Sequence, residues 1–189
     1  MAIRLLDVVV HNNRKLFGEA AVRIDALVLH ANAKGTQASD FYSPVTFRFD
    51  RVADGDRLPI GEGGLLVFMG KPRYFLDLFL TVSRDLNRSD SLERLLREAS
   101  STDSTPLADS LLALVAGAPS PDLLGSALHA ALSFGDFALQ VLRLATGATI
   151  GLYRNSWLRG VDGWGVGRHP PAGLLRTKDL SFGFEVVEV

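Results

Sequence analysis

The chain has no cysteine among its 189 residues, which removes a disulfide framework, a thiolate nucleophile and any zinc site built on sulfur. That absence fits any compartment. Neither sign of charge is in excess, with 20 basic side chains against 21 acidic ones, so the net field draws in neither nucleic acid nor an anionic membrane. Long hydrophobic runs are missing too. The longest uncharged apolar stretch, Leu123 to Gly135, is about 13 residues, against the ~20 that a spanning helix needs. The apolar start is broken by Arg4 and Asp7, leaving it too short for a signal-peptide core. These absences give the expectation of a cytoplasmic chain. Catalytic signatures are also lacking: no Gly-x-Ser-x-Gly turn, no P-loop, no kinase motif and no reasoned pair of carboxylates occurs.

What is present is apolar material, 47% of the residues, a high share that hints at surface kept for a partner or a second copy. The length fits one domain, 1–189, with a helix-reading insertion over about 89–147. Around that insertion the sequence reads as strand. Ile3 to Val10 is apolar and β-branched, and Asn12-Asn13 then supplies turn chemistry. In Ala20 to His30, Val22, Ile24, Ala26 and Val28 share one face. Arg23 and Asp25 share the other with Leu27 and Leu29, so the far end of that second face must be covered. Phe41 to Asp50 alternates strictly, Leu65 to Met69 is short, and Tyr74 to Ser83 is the clearest strand. Ala148 to Tyr153 and Leu180 to Val189 complete the set. Turn signals at Asp54-Gly55-Asp56 and at Gly61, Gly63 and Gly64 separate them.

Helical spacing rules the middle of the chain. Asp90 as N-cap with Glu93 three residues on is a variant capping box, leading into Leu92, Leu95 and Leu96. Thr105-Pro106 opens a second helix that stops at Gly117, and Ser120-Pro121 opens a third that ends by Gly147. In that third helix Ser126, His129, Ser133, Asp136, Gln140 and Arg143 are spaced 3, 4, 3, 4 and 3. They form one narrow polar stripe, so the rest of the circumference is expected to be buried on several sides. Gly135 and Ala138, with Ala127 and Ala131, are small enough to admit another backbone. The fold class expected is mainly β with an α insertion: an antiparallel β-sandwich carrying three helices between two strands.

The order strand, polar loop, Ser39-Asp40-Phe41-Tyr42, alternating strand, then Leu78-Phe79-Leu80-Thr81-Val82 before an acidic loop resembles the calcium- and lipid-binding β-sandwich first defined as conserved region two of protein kinase C. It covers roughly Ala20 to Asp90. In that family the first motif reads Ser-Asp-Pro-Tyr. The resemblance implies aspartate ligands on neighbouring loops, because a hard divalent cation takes about six or more oxygens. Asp40 matches one such position, and Asp85 and Asp90 stand in the later loop with Asn87 between them. Where the family has a further aspartate, about six residues before Asp40, this chain has Lys34. The resemblance therefore implies a binding scaffold without its metal, and no cofactor is expected.

Arg154 to Arg176 reads as a long irregular loop holding both tryptophans, and loops of that length are usually functional. Within it, Gly163-Trp164-Gly165-Val166-Gly167-Arg168-His169-Pro170 offers free amides and a cation for an anion, with Trp164 to stack on a sugar or base, and Trp157 stands nearby in the sequence. Trp157, Trp164, Arg168 and His169 are the candidate binding residues. Pro170-Pro171 prevents the helix a dinucleotide cradle needs, and a sharply turning loop whose tryptophan plugs the end of the sandwich is the favoured reading. Tyr153, Arg154 and Arg159 add to an aromatic and basic set, but the balanced charge leaves no nucleic acid expected. The four histidines, His11, His30, His129 and His169, stand at no metal-ligand spacing, and surface or capping roles are expected of them. The expectation is a non-enzymatic interaction module that binds another protein or itself through the helices or the sandwich loops. A membrane surface, or a small ligand or carbohydrate at 154–176, are the alternative partners.

Overall fold

The computed structural model describes residues 1–32, 42–86, 90–102 and 121–189. The expected helix ending at Gly117, the motif residues Ser39 to Phe41 with Asp40, and Lys34 and Asn87 lie outside the described residues. The fold is mainly antiparallel β, in two sheets, with helices between the sixth and seventh strands in chain order.

The described strands are β1 (Ala2–Val10), β2 (Ala20–Asn32), β3 (Tyr42–Val52), β4 (Asp56–Arg57), β5 (Leu65–Met69), β6 (Pro72–Arg84), β7 (Thr149–Leu158), β8 (Gly167–His169), β9 (Leu175–Arg176) and β10 (Leu180–Val187). In the first sheet β1 pairs with β10, joining the start of the chain to its end. The far side of β1 takes β4 and β5, and the far side of β10 takes β8 and β9. The second sheet runs β3-β2-β6-β7. One apolar cluster draws on both sheets: Ile3, Leu5 and Val8 from β1 and Phe182, Phe184 and Val186 from β10 meet Val22, Ile24, Leu78 and Leu80 from β2 and β6. In β2, β6 and β10 these are the residues that period-2 alternation places on one face, and an irregularity between Leu5 and Asp7 brings Val8 of β1 to the same side as Ile3 and Leu5.

The other face of the second sheet carries the helices. Helix α1 (Leu92–Thr102) and helix α2 (Pro121–Ala145) set Leu92, Leu96, Phe134, Ala138 and Leu142 against Leu27, Leu29, Phe75 and Phe79. This is the cover that Leu27 and Leu29 require. The cap of α1 falls one residue later than expected, because the Ser91 hydroxyl receives the amide of Arg94 at 3.4 Å, while the Asp90 carboxylate pairs with the Arg94 guanidinium. In α2 the stripe residues Asp136, Gln140 and Arg143 are exposed as expected. Burial on several sides is not seen over the described turns. One sheet beneath and α1 beside it cover only part of the circumference, and Leu144 is 90% exposed. The small residue Gly135 admits a side chain rather than a backbone: a methyl group there would lie 2.0 Å from the Phe79 ring. No described helix is long and apolar enough to cross a membrane.

Arg154 to Arg176 is not one irregular loop. Strand β7 runs on to Leu158, its inward and outward residues alternating against β6. A short helix α3 (Arg159–Asp162) and a turn at Gly163–Gly165 follow, then β8 and β9. The alternation was hidden because the outward residues Arg154 and Ser156 are polar, and their partner, Asp77, is far away in sequence.

Candidate functional site

Of the expected binding residues, the fold brings Trp157, His169 and the turn around Trp164 together, and leaves Arg168 apart on the surface. Trp157 points inward from β7 and is only 4% exposed. Its ring centroid lies 5.6 Å from that of His169, which stacks on Phe184 at 4.9 Å and 15°. The turn above them is unusual in its backbone. Gly163, Trp164 and Gly165 have φ of 53°, 65° and 63° in succession, and a left-handed non-glycine residue costs roughly 1–2 kcal/mol. Two contacts hold it there. Gly165 lies flat on Trp157, where an added methyl would be 2.1 Å from Nε1, and the Gly165 carbonyl is 2.6 Å from His169 Nε2. Trp164 is half-buried against the main core. Arg168 sits in β8 opposite Glu185 and is exposed. Tyr153 and Trp157 face inward, whereas Arg154 faces outward onto Asp77, so the aromatic and basic residues of β7 do not share a surface. His30, buried with its ring 4.8 Å from Phe68, differs from the surface or capping roles expected, whereas half-buried His169 meets the Gly165 carbonyl of the turn. The side chain of His129 lies outside the described residues.

The acidic candidates are occupied by arginines. Asp85 accepts from Arg48 Nε at 3.0 Å, and Asp90 accepts from Arg94 Nη1 at 3.1 Å. Among the described residues no cluster of three or more histidines and carboxylates is placed to hold a metal.

A set of residues that sequence reasoning left on an open face is sealed beneath the helices. Arg23 is 0% exposed and binds the Asp25 carboxylate with two nitrogens, Nε to Oδ2 at 2.7 Å and Nη2 to Oδ1 at 2.5 Å. Thr46 Oγ1 donates to Asp25 Oδ1 at 2.7 Å and receives the amide of Leu92 at 2.9 Å, while Arg23 Nη1 donates to the Asp90 carbonyl at 3.0 Å. The start of α1 is thereby fastened to the sheet through a buried ion pair. On β6, Asp77 accepts from Arg154 Nη2 at 2.9 Å and Ser156 Oγ at 3.0 Å, and the Arg154 guanidinium lies 4.4 Å over the Phe79 ring. A carboxylate that accepts from several such donors holds its neighbours in place. The signal for this layer was Arg23 and Asp25 two residues apart on a face that Leu27 and Leu29 already required to be covered.

In the loop between β1 and β2, where Asn12-Asn13 gave the turn, the pair Leu16 and Phe17 was missed. Asn13 is fully buried at its base, donating from Nδ2 to the carbonyls of Gly18 and Val52 at 2.9 and 2.8 Å and accepting the Lys15 amide on Oδ1 at 2.8 Å. Arg14 adds an ion pair to Asp179. From this fixed base Leu16 and Phe17 project 91% and 87% exposed. Beside them an open groove of about 650 Å³ is lined by Lys15, Glu19, Asp50 and Arg51. The readable signal was Lys15-Leu16-Phe17 between two asparagines and Gly18, where turn chemistry leaves apolar residues no core to enter. Comparison of the chain with protein-family models, with curated proteins and with solved structures finds no match.

Proposed function

We propose that this chain is a non-enzymatic interaction module, a β-sandwich carrying its helices as an insertion, that binds another protein through the loop between β1 and β2. The observation that supports it is the pair Leu16 and Phe17, adjacent, almost wholly exposed and held by a buried asparagine. Each apolar side chain of that size gains about 1.5–3 kcal/mol when removed from water, and the fixed loop spares part of the ordering cost of binding. Leu16→Ser with Phe17→Ser should leave folding stability within about 0.5 kcal/mol, as for other surface changes, and should weaken capture of the partner retained by the unaltered protein by ~10-fold or more. Equal capture by both proteins would sink the reading.

A membrane surface is the second reading, favoured by Lys15 beside two apolar residues that project clear of the fold. Sedimentation with zwitterionic and anionic vesicles, with and without calcium, separates the two. Binding to vesicles that the double substitution abolishes would place the pair in lipid rather than in a protein pocket.

A further inference from the structure

The two edges of the second sheet are treated differently. On β3 the open side carries Pro44, Asp50 and Arg51, and Arg51 has φ of 56°. Proline, charge and a left-handed residue are devices that stop a further strand from adding. Strand β7, at the opposite edge, has the sequence Thr-Ile-Gly-Leu-Tyr-Arg-Asn-Ser-Trp-Leu, with no proline, lysine or acid. Its one charge, Arg154, is already paired with Asp77.

The backbone direction at this edge follows from the hydrogen bonds at its end. Arg84 donates its amide to the Ala148 carbonyl and accepts the Gly147 amide, whereas the next residue, Asp85, donates to Ala21 on the β2 side. Antiparallel alternation then turns the polar backbone of Val82, Leu80, Leu78 and Leu76 toward β7, where they oppose Gly151, Tyr153, Asn155 and Trp157. The amides and carbonyls of Leu152, Arg154, Ser156 and Leu158 therefore point away from β6. The Leu158 amide bears this out, since it is capped from outside the sheet by the Asp162 carboxylate at 3.0 Å. Among the described residues nothing caps the amides of Leu152, Arg154 and Ser156. Next to them Leu152 is 39% exposed, and with Leu139 of α2 it forms the apolar wall of a narrow groove.

A row of outward amides and carbonyls accepts one kind of occupant, an extended strand. We propose that β7 pairs antiparallel with β7 of a second copy, about a two-fold axis at Tyr153. In that register Leu152 of each copy exchanges two backbone hydrogen bonds with Arg154 of the other, and the two sheets become one. The register matters electrostatically: a two-fold at Arg154 would set two guanidinium-bearing residues directly opposite, while one at Tyr153 sets each beside a leucine. Strand β7 itself meets what the edge demands, which the charged β3 does not. This contact is separate from the loop carrying Leu16 and Phe17, so either can fail alone.

Light scattering on the full chain across a dilution series, with NMR-detected amide exchange, tests the pairing. The expected result is a mass of two chains of 20.4 kDa each, with slow exchange at Leu152, Arg154 and Ser156. Leu152→Lys should halve the mass, speed those amides and leave the far-ultraviolet spectrum unchanged. Leu152→Pro is the second variant; its lost amide takes no part in the ladder to β6, and it should do the same. A single-chain mass at every concentration would overturn the inference, whether the edge amides exchange fast or are protected by the chain's own residues. So would a two-chain mass that survives both substitutions.

Discussion

The second sheet presents two faces made by the same strands, and they are built on different principles. Its inner face is lined by Val22, Ile24, Leu78 and Leu80, which pack on the first sheet with no polar atom among their side chains. Its outer face mixes Leu27, Leu29 and Phe79 with Arg23, Asp25 and Asp77, and all of these are buried once α1 and α2 lie on top. Apolar burial is non-directional and tolerates local rearrangement. A buried ion pair demands fixed geometry and gives little net stability, yet it is costly to break. The helices are thus held by a directional clamp at the start of α1 and by ordinary packing along α2.

The comparison breaks most visibly at Asp25. Asp25→Ala leaves the enclosed Arg23 guanidinium without its carboxylate and should lower stability by about 3–5 kcal/mol, read as a lower urea midpoint. Replacing both partners, Arg23→Met with Asp25→Leu, should recover most of that loss. A midpoint unchanged by Asp25→Ala would show that water reaches the clamp.

A smaller effect is expected where α2 meets the same face. Gly135→Ala gains up to about 1 kcal/mol of helix propensity, but its methyl meets the Phe79 ring, and overpacking costs about 1–3 kcal/mol. The melting temperature should therefore fall, and Phe79→Leu in the same chain should relieve the loss through direct coupling. A higher melting temperature for Gly135→Ala alone would mean that α2 stands further from the sheet.

The smallest effect sets one tyrosine from each face side by side. Tyr42 lies under the helices, 5.0 Å from the Phe134 ring, and Tyr153 lies inside, 5.0 Å from the Phe182 ring. Burial raises both phenols above the ordinary value of 10.0, and for Tyr153 a hydrogen bond with Asn155 partly opposes the rise. In the unfolded chain these groups ionise first. Their contribution to stability is therefore complete below pH 10.0 and is lost as pH rises through their higher folded values. Denaturant midpoints measured at increasing alkalinity should decline, and Tyr153→Phe should flatten part of that decline. An alkaline profile identical in Tyr153→Phe would remove this residue from the account.

Much of the β framework was legible because half-buried antiparallel strands alternate, and β2, β3 and β6 do so plainly. Residues 20–30 even announced a covered second face through Leu27 and Leu29. Arg154 to Leu158 escaped notice, since an outward arginine and serine look like loop until Asp77 is known to lie across from them. For the same reason Trp157 read as a binding residue, though its ring belongs to the core. Asn12-Asn13 marked the turn of the candidate loop, but Leu16 and Phe17 were not singled out, because an apolar pair in a short segment carries no period to mark it.

Sequence alone determined which residues share a face in β2, β3 and β6 and that the chain is mainly β with helices in its later middle, because periodicity and turn chemistry are local properties. Only tertiary structure decided that β1 lies beside β10, that Arg23 and Asp25 are sealed rather than solvated, and that β7 stands at the end of its sheet. Those outcomes depend on which distant surface arrives to exclude water or to offer a hydrogen bond, and no run of neighbouring residues encodes that arrival.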